Sequence, residues 1–216
     1  RYLGDVDITR WFNASLGLQV DNTRQKGSYQ GQFDMASFNS FPEYLSVYNP
    51  DGTPARLQAL VDLSEPSLSD PNLGLKDEGY VPLNEFDLNT SKYRQTYTRG
   101  YVHLNFFPIP ELKLSGMFQY EDATYKRENT MVGESYSARH LYNLFTDEGE
   151  HKLPDGGIYR EINNTQSSYT FRTQATYDKT LFEKHAINAI AGIEYRHQRI
   201  KSTTHSYYGY DEQNLV

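Results

Sequence analysis

Residue types that carry catalytic or metal chemistry are present, but none stands in a spacing that defines a site. The chain has no cysteine, which excludes a disulfide framework, thiolate metal ligands and a cysteine nucleophile. It contains neither the G-x-S-x-G elbow of serine hydrolases nor a phosphate-binding G-x-x-x-x-G-K-[ST] loop. The histidines also lack the H-E-x-x-H spacing of a zinc site; they are His103, His140, His151, His185, His197 and His205. The sequence therefore predicts no enzyme, no catalytic residue, no metal site and no cofactor.

Carboxylates are numerous, with 28 Asp and Glu against 21 Lys and Arg. A glycosidase needs two of them at a defined separation, and nothing in the sequence fixes such a pair. The number of carboxylates is therefore the only feature that favours the hypothesis of a β-rich hydrolase. The stretch 147–150, with Asp155 nearby, offers oxygen ligands for calcium but does not match the EF-hand loop, and a solvated loop is the alternative. The net charge of -7 argues against nucleic acid as a partner.

Aromatic residues are unusually frequent for a chain of low hydropathy. They make up 14% of the residues, and 19 residues are Tyr, although the mean hydropathy is -0.76. A disordered chain would be poor in aromatics, so this chain is expected to be folded with little all-apolar interior. Tyrosine suits surfaces that meet an apolar and an aqueous medium together, such as membrane interfaces and ligand-binding loops.

Five segments alternate apolar and polar residues with the period of two that is typical of strands. In 112–121, for example, Leu, Leu, Gly, Phe and Tyr alternate with Lys, Ser, Met, Gln and Glu. Such segments exceed the five or six residues that are about usual for soluble strands and suit a tilted membrane crossing. The predicted strands are 8–21, 93–106, 112–126, 166–178 and 185–199.

Short and long connections alternate along the chain. Short turns near 107–111 and 179–184 predict two antiparallel hairpins, whereas the loops 22–92 and 127–165 are long. Outer-membrane barrels have short periplasmic turns and long extracellular loops, while compact soluble domains favour short loops throughout. The long loops contain turn signals and two short helical patterns: Leu57, Leu60 and Val61, and then Leu141, Leu144 and Phe145 behind a predicted Ser137 cap.

Alternation alone fits two architectures. In a soluble sandwich the apolar face looks inward, whereas in a large barrel it meets lipid and the polar face lines the lumen. Small residues mixed into the apolar stripes, aromatics toward the strand ends and the strand lengths favour the barrel. We therefore predict an all-β fold of antiparallel up-and-down strands from a large transmembrane β-barrel, with short helices in the long loops. A soluble β-sandwich that binds carbohydrate is the alternative.

Four segments resemble strands and loops of the SusC/RagA-type TonB-dependent outer-membrane transporters of Bacteroidetes. They are 112–121, 137–143, 169–177 and, most specifically, 185–195. The resemblance covers most of the chain from about Tyr93 onward, together with the strand at 8–21. It implies a barrel of about 22 strands with an N-terminal plug, located in the cell outer membrane. Residues 1–216 are then expected to be a part of that barrel, without the plug and with open edges.

The resemblance also implies partners. They are a SusD-type surface lipoprotein, TonB acting through the absent plug region, outer-membrane lipid, and an imported glycan or peptide. Loop tyrosines are candidates for stacking on a ligand, with packing between loops as the alternative: Tyr44, Tyr48, Tyr136, Tyr142, Tyr159, Tyr207 and Tyr208. Charges on the polar stripes are predicted to face the lumen and to contact the plug or substrate, with cross-strand pairing as the alternative: Lys113, Glu121, Arg172, Glu194 and Arg196.

Overall fold

The computed structural model describes residues 1–28, 46–56, 74–147, 149–182 and 184–211. Two α-helices and eight strands occur in this part of the chain. The helices are α1 (Pro82–Leu88) and α2 (Tyr136–Leu144). The strands are β1 (Tyr2–Thr9), β2 (Phe12–Ser28), β3 (Asn89–Ile109), β4 (Leu112–Met131), β5 (Thr146–Asp147), β6 (Glu150–His151), β7 (Gly157–Leu181) and β8 (His185–Tyr210).

Six of the strands form one antiparallel sheet in the order β1-β2-β3-β4-β7-β8, and β5 pairs with β6 separately. Each long strand therefore lies beside its nearest long neighbour in sequence, as an up-and-down topology requires. The two predicted hairpins, β3–β4 and β7–β8, are confirmed. β1 and β8 are the two edges of the sheet.

The sequence interpretation missed β1. The predicted strand 8–21 begins inside β1 and crosses the turn at Arg10 and Trp11, after which β2 runs on to Ser28. That turn contains none of the Gly, Pro, Asn or Asp residues that mark turns, so no sequence signal separated the two strands. The long strands also extend further than predicted, which shortens both long loops.

The chain divides into two compact units, each held together by its own internal contacts. The strand unit comprises residues 1–24, 94–126 and 163–203. The loop unit comprises residues 25–93, 127–162 and 204–216, of which the described part contains both helices and the β5–β6 hairpin. Among the described residues, neither helix is long and apolar enough to cross a membrane.

In the strand unit, the polar stripes of neighbouring strands bond to one another. Asn105 donates a hydrogen bond of 2.8 Å from Nδ2 to Oδ1 of Asn13 on β2. Ser115 Oγ donates to the Gln174 carbonyl oxygen at 3.3 Å across β4 and β7. Asn105, Ser168 and Thr170 are all buried. These buried side chains are polar, and those of Asn105 and Ser168 bond to side chains of adjacent strands.

The apolar stripes of the same strands are exposed. Leu16 on β2, Phe118 on β4 and Ile193 on β8 expose 61%, 46% and 69% of their surface. A sheet that packs one face on a water-free core shows the opposite distribution, with apolar side chains inside and polar ones in water. No described segment covers these stripes.

The loop unit has a small apolar core instead. Met131, Ala138 and Ile158 are buried together, and Leu141 packs against them. Helix α2 supplies two of these residues. It is capped by Ser135, whose Oγ accepts a hydrogen bond of 3.3 Å from the Ala138 amide. The predicted cap at Ser137 was wrong by two residues, because Ser137 lies inside the helix. The other predicted helical pattern, at 57–61, lies outside the described residues.

A close approach of β7 and β8 gives a stability prediction. A Cβ added at Gly192 would lie 2.7 Å from the Thr173 carbonyl oxygen, whereas one added at Gly116 would meet nothing within 4 Å. We expect Gly192→Ala to lower the free energy of unfolding by about 1–3 kcal/mol, because backbone must move to accept the methyl group. Gly116→Ala is the matched control and should change it by less than about 0.5 kcal/mol. Urea unfolding followed by circular dichroism measures both, and equal shifts would contradict the close approach.

Candidate functional site

The Glu121 carboxylate is the centre of a polar network on the strand unit. Its Oε1 accepts a hydrogen bond of 2.9 Å from the Tyr97 hydroxyl, and its Oε2 accepts one of 3.0 Å from Ser168 Oγ. Arg99 Nε lies 3.9 Å from Oε1, and Arg196 Nη2 lies 4.0 Å from Oε2. One carboxylate on β4 thus connects side chains of β3, β7 and β8, and its charge is balanced by two guanidinium groups.

Two further cations of the polar stripes also have partners. Arg172 Nε donates a hydrogen bond of 2.6 Å to Glu194 Oε2 across β7 and β8. Lys113 Nζ lies 5.9 Å from the centre of the Phe107 ring. The structure therefore pairs the predicted charges with neighbouring strands, as the cross-strand alternative expects. Ion pairs as exposed as these contribute at most about 1 kcal/mol each, so they leave the side chains able to exchange partners.

The structure describes only one of the first two tyrosines that were predicted to contact a ligand. Tyr44 lies outside the described residues. Tyr48 is exposed and forms an isolated antiparallel bridge with Pro54, which closes the turn that contains Asn49 and Gly52. In that turn the Gly52 amide donates to the Asn49 carbonyl oxygen at 2.9 Å. The Tyr48 ring is therefore presented to solvent on a short, internally bonded turn.

Tyr136 is an interior residue of the loop unit. It is 1% exposed, stacks on His140 with ring centres 5.5 Å apart and meets Tyr80 edge-on at 5.4 Å. Burial, with a further contribution from the Glu78 carboxylate, raises the pKa of Tyr136 to about 12. Its ring has no free face for a ligand, so the structure places it as the loop-packing alternative expects.

The remaining predicted tyrosines keep accessible rings but already have neighbours. Tyr142 stacks on His151 with ring centres 4.5 Å apart, and Lys76 Nζ lies 4.8 Å from its ring centre. The Tyr159 hydroxyl donates to Glu128 Oε1 at 2.9 Å, and its ring stacks on Tyr210 at 5.1 Å. Tyr207 and Tyr208 are also exposed, and the Tyr207 ring lies beside the Tyr159 ring.

A polar clamp between helix α2 and the segment 76–79 was not predicted. Asn143 Oδ1 accepts from the Lys76 amide at 2.8 Å, and Asn143 Nδ2 donates to the Lys76 carbonyl oxygen and to Glu78 Oε1, both at 2.7 Å. The Glu78 carboxylate is only 4% exposed, and its Oε2 lies 3.1 Å from His140 Nδ1. A buried carboxylate is therefore held by two side chains of one helix.

Arg139 completes this clamp from the same helix. Its Nε donates to the Glu134 carbonyl oxygen at 2.9 Å, and its Nη2 donates to the Gly79 carbonyl oxygen at 2.8 Å. Arg139, His140 and Asn143 are spaced three and four residues apart, so they share one face of α2. That spacing was the available sequence signal, but it did not reveal which backbone segment they would hold.

An open polar cleft of about 870 Å³ adjoins the clamp. Charged side chains and glycines line it; they include Lys76, Asp77, Glu134, Arg139, Asp155 and Gly156. Lys76 pairs with Asp155, and Arg139 Nη1 lies 3.6 Å from Asp77 Oδ2. The cleft can hydrogen-bond a polar ligand, but among the described residues no group of His, Asp or Glu is arranged to hold a metal ion.

Comparison with known proteins identifies the fold alone. No protein-family model matches the sequence, and no curated protein matches it. Among solved structures, the chain is similar to a chain of the RagAB peptide importer in the closed-closed state, with a TM-score of 0.66 at 16% identity. It is also similar to chains of the RagAB peptide transporter (TM-score 0.67, 15% identity) and of the importer in the open-open state (TM-score 0.63, 17% identity).

These likenesses span nearly all of this chain and a small part of the others. Each covers 98% of the chain but only 21% of the RagAB chain. The chain thus shares its fold with about a fifth of those transporter chains.

The clamp gives a second prediction. Asn143→Ala leaves two backbone groups of Lys76 and one buried Glu78 oxygen without their partner, so we expect a loss of about 2–4 kcal/mol in unfolding free energy. Limited proteolysis should also cut 74–80 sooner. Asn84→Ala is the control, because Asn84 is exposed and, among the described residues, its side chain holds no backbone group of another segment. If the two variants had equal unfolding free energies and equal rates of cleavage at 74–80, the result would argue against the clamp.

The raised pKa of Tyr136 gives a third prediction. The unfolded phenol ionises near 10 and the folded one near 12. The neutral phenol therefore contributes stability fully below pH 10, and this contribution is lost as the pH rises toward 12. The difference in unfolding free energy between the wild type and Tyr136→Phe should be constant below pH 10, and above pH 10 the wild type should lose stability relative to the variant. A difference that stays constant up to pH 12 would contradict the placement of this ring.

Proposed function

We propose that this chain is a part of the β-barrel of a SusC/RagA-type TonB-dependent transporter in the bacterial outer membrane. Its long strands cross the bilayer, its short turns are periplasmic and its long loops are extracellular. The observation that supports this most directly is the inverted sheet: polar stripes bonded to one another, and apolar stripes left uncovered by any described segment. A barrel wall satisfies both faces, because its apolar side meets hydrocarbon and its polar side faces the lumen.

The alternative of a soluble carbohydrate-binding sandwich is not favoured. A sandwich buries the apolar stripes of two sheets against each other at a separation of about 10 Å. Here Leu16, Phe118 and Ile193, on three different strands, are all exposed, and no second sheet of comparable size occurs among the described residues. Apolar patches that extend over several strands mark contact with lipid or with another protein.

The edges of the sheet also fit a barrel. β1 and β8 end the sheet, and β8 is 26 residues long with almost every residue exposed. Such an edge offers a row of unpaired backbone groups, which is an aggregation hazard in water. In a closed barrel each edge pairs with a further strand, and no edge remains.

Within the proposed barrel, the polar stripes line the lumen. The Glu121 network and the Arg172–Glu194 pair then face the plug or the passing substrate, together with Lys113. Because these pairs are partly exposed and individually weak, a ligand or plug residue can replace one partner at little cost. This gives the five predicted charges a role that the cross-strand pairing does not exclude.

The partners follow from the same proposal. The loop unit provides the surface for a SusD-type lipoprotein, and TonB acts through a plug outside this chain. The solved structures of similar fold are described as a peptide importer, so an oligopeptide is the first candidate substrate and a glycan the second. Tyr48, Tyr142 and Tyr159 are the predicted tyrosines with rings accessible to such a ligand, together with Tyr207 and Tyr208.

A pair of adjacent substitutions tests the membrane assignment. Phe118→Arg places a charge on the apolar stripe, and we expect it to destabilise the folded protein in lipid vesicles by about 2–4 kcal/mol. Met117→Arg is the matched control, because it introduces the same side chain one residue away on the polar stripe and should cost less than about 1 kcal/mol. Urea titration of the vesicle-bound protein measures both.

A larger destabilisation by Met117→Arg than by Phe118→Arg would refute the proposal. A full-length protein that fractionates with the soluble proteins of the cell would also refute it. Uptake of labelled oligopeptide or oligosaccharide by cells with and without the gene then decides between the two substrate classes.

A further inference from the structure

One side of the polar cleft in the loop unit is glycine backbone. A Cβ added at Gly157 would lie 2.4 Å from the Met131 carbonyl oxygen, and one added at Gly156 would lie 2.7 Å from the Gly209 carbonyl carbon. Gly156 and Gly209 also have positive φ, of +139° and +73°, which residues with a side chain rarely adopt. The backbone therefore approaches too closely here for side chains, and the charged residues around the glycines set the chemistry of the cleft.

The two cations that line the cleft are committed to the protein itself. The Arg139 side chain is 16% exposed and donates to the Glu134 and Gly79 carbonyl oxygens. The Lys76 side chain is 23% exposed, pairs with Asp155 and lies over the Tyr142 ring. These positive charges are therefore directed at groups of the loop unit.

The carboxylates of the same cleft are accessible. Among the described residues, four carboxylates line it, and all four residues are exposed: Asp77, Glu134, Asp155 and Asp211. The side chain of Asp77 is 58% exposed and that of Asp155 is 67% exposed. Four carboxylates thus face two cations, and the negative groups are the ones that solvent reaches. A cleft lined mainly by one sign of charge concentrates ligands of the opposite sign.

The carboxylates are distributed along the cleft and do not converge on one point. In the described part of the chain, no three His, Asp or Glu side chains are placed to hold a metal ion. The volume of about 870 Å³ lies toward the upper end of the range for ligand clefts. Both observations favour an extended organic ligand with positive groups over a single inorganic cation.

The aromatic lining of the cleft fits the same kind of ligand. The Tyr210 ring lines the cleft and is stacked on the Tyr159 ring, with ring centres 5.1 Å apart. An ammonium or guanidinium group is attracted both to carboxylates and to aromatic rings. A neutral sugar gains nothing from the carboxylate charges. The cleft therefore favours a peptide with basic side chains over a neutral glycan.

We propose that this cleft binds lysine or arginine side chains of an oligopeptide and makes the transporter selective for cationic peptides. Asp155 and Asp211 accept hydrogen bonds from the ammonium or guanidinium group, Glu134 extends the negative surface, and the Tyr210 ring adds a cation–π contact. Charge complementarity of this kind contributes specificity more than affinity. The inference rests on the proposed function and narrows its substrate class.

Synthetic oligopeptides of equal length test the charge selectivity. Their variable positions are all lysine, all glutamine or all glutamate, between glycine and serine spacers. Binding to the purified full-length protein is measured by fluorescence anisotropy at low and at high salt. We expect the lysine peptide to bind at least about fivefold more tightly than the glutamine peptide at low salt, and the glutamate peptide to bind most weakly. The preference for lysine should shrink at high salt, because salt screens exposed charges.

A pair of double variants locates the site. Asp155→Asn with Asp211→Asn should weaken binding of the lysine peptide by about fivefold and leave the glutamine peptide within about twofold. Asp147→Asn with Glu150→Gln is the matched control, because it removes the same charge from exposed residues of the loop unit that do not line the cleft. The control should bind the lysine peptide within about twofold of the wild type. Equal losses in the two double variants would overturn the cleft as the site.

A charge reversal guards against a loss caused by misfolding. Asp155→Lys with Asp211→Lys should bind the glutamate peptide more tightly than the lysine peptide, and a misfolded protein cannot produce this gain. An unchanged order of the three peptides in this variant would overturn the proposal.

The outcomes also separate this inference from the proposed function. Equal affinities of the wild type for the lysine and glutamine peptides would overturn the selectivity, whereas the barrel assignment would stand on the Phe118→Arg test and on fractionation. Binding of a neutral oligosaccharide without binding of any of the peptides would likewise overturn the cleft and keep the barrel. A full-length protein found among the soluble proteins would refute the transporter, and selective import would fail with it.

Discussion

The uncovered apolar stripe of the sheet is the constraint on which the rest of the structure depends. Leaving apolar surface in water costs about 25 cal/mol per Å², and Leu16, Phe118 and Ile193 represent a stripe that extends over the whole width of the sheet. The opposite stripes satisfy themselves through side-chain bonds such as those of Glu121. A sheet of this kind is stable where its apolar side meets hydrocarbon, and this requirement connects the strand lengths, the open edges and the proposed location.

The loop unit follows a different rule. Its apolar core is small, and much of its order comes from polar side chains that hold backbone groups. Arg139 and Asn143 on α2 bond to carbonyl and amide groups of the segment 76–79, and Glu78 is buried among them. Such bonds fix the geometry of a loop without a large hydrophobic core, but each depends on complete pairing. A surface built in this way suits binding, because its accessible rings and its charged cleft are held in place.

The alternation in sequence determined the strands, their antiparallel hairpins and the two faces of each strand, because successive side chains point to opposite sides. It could not mark the turn at Arg10 and Trp11, which lacks turn residues. Nor could it separate Tyr136, which is buried, from Tyr142, which keeps an accessible ring, although both lie on one short helix. Only the tertiary structure decided which side chains met across strands and loops, because contacts such as Asn143 with Glu78 join residues far apart in sequence.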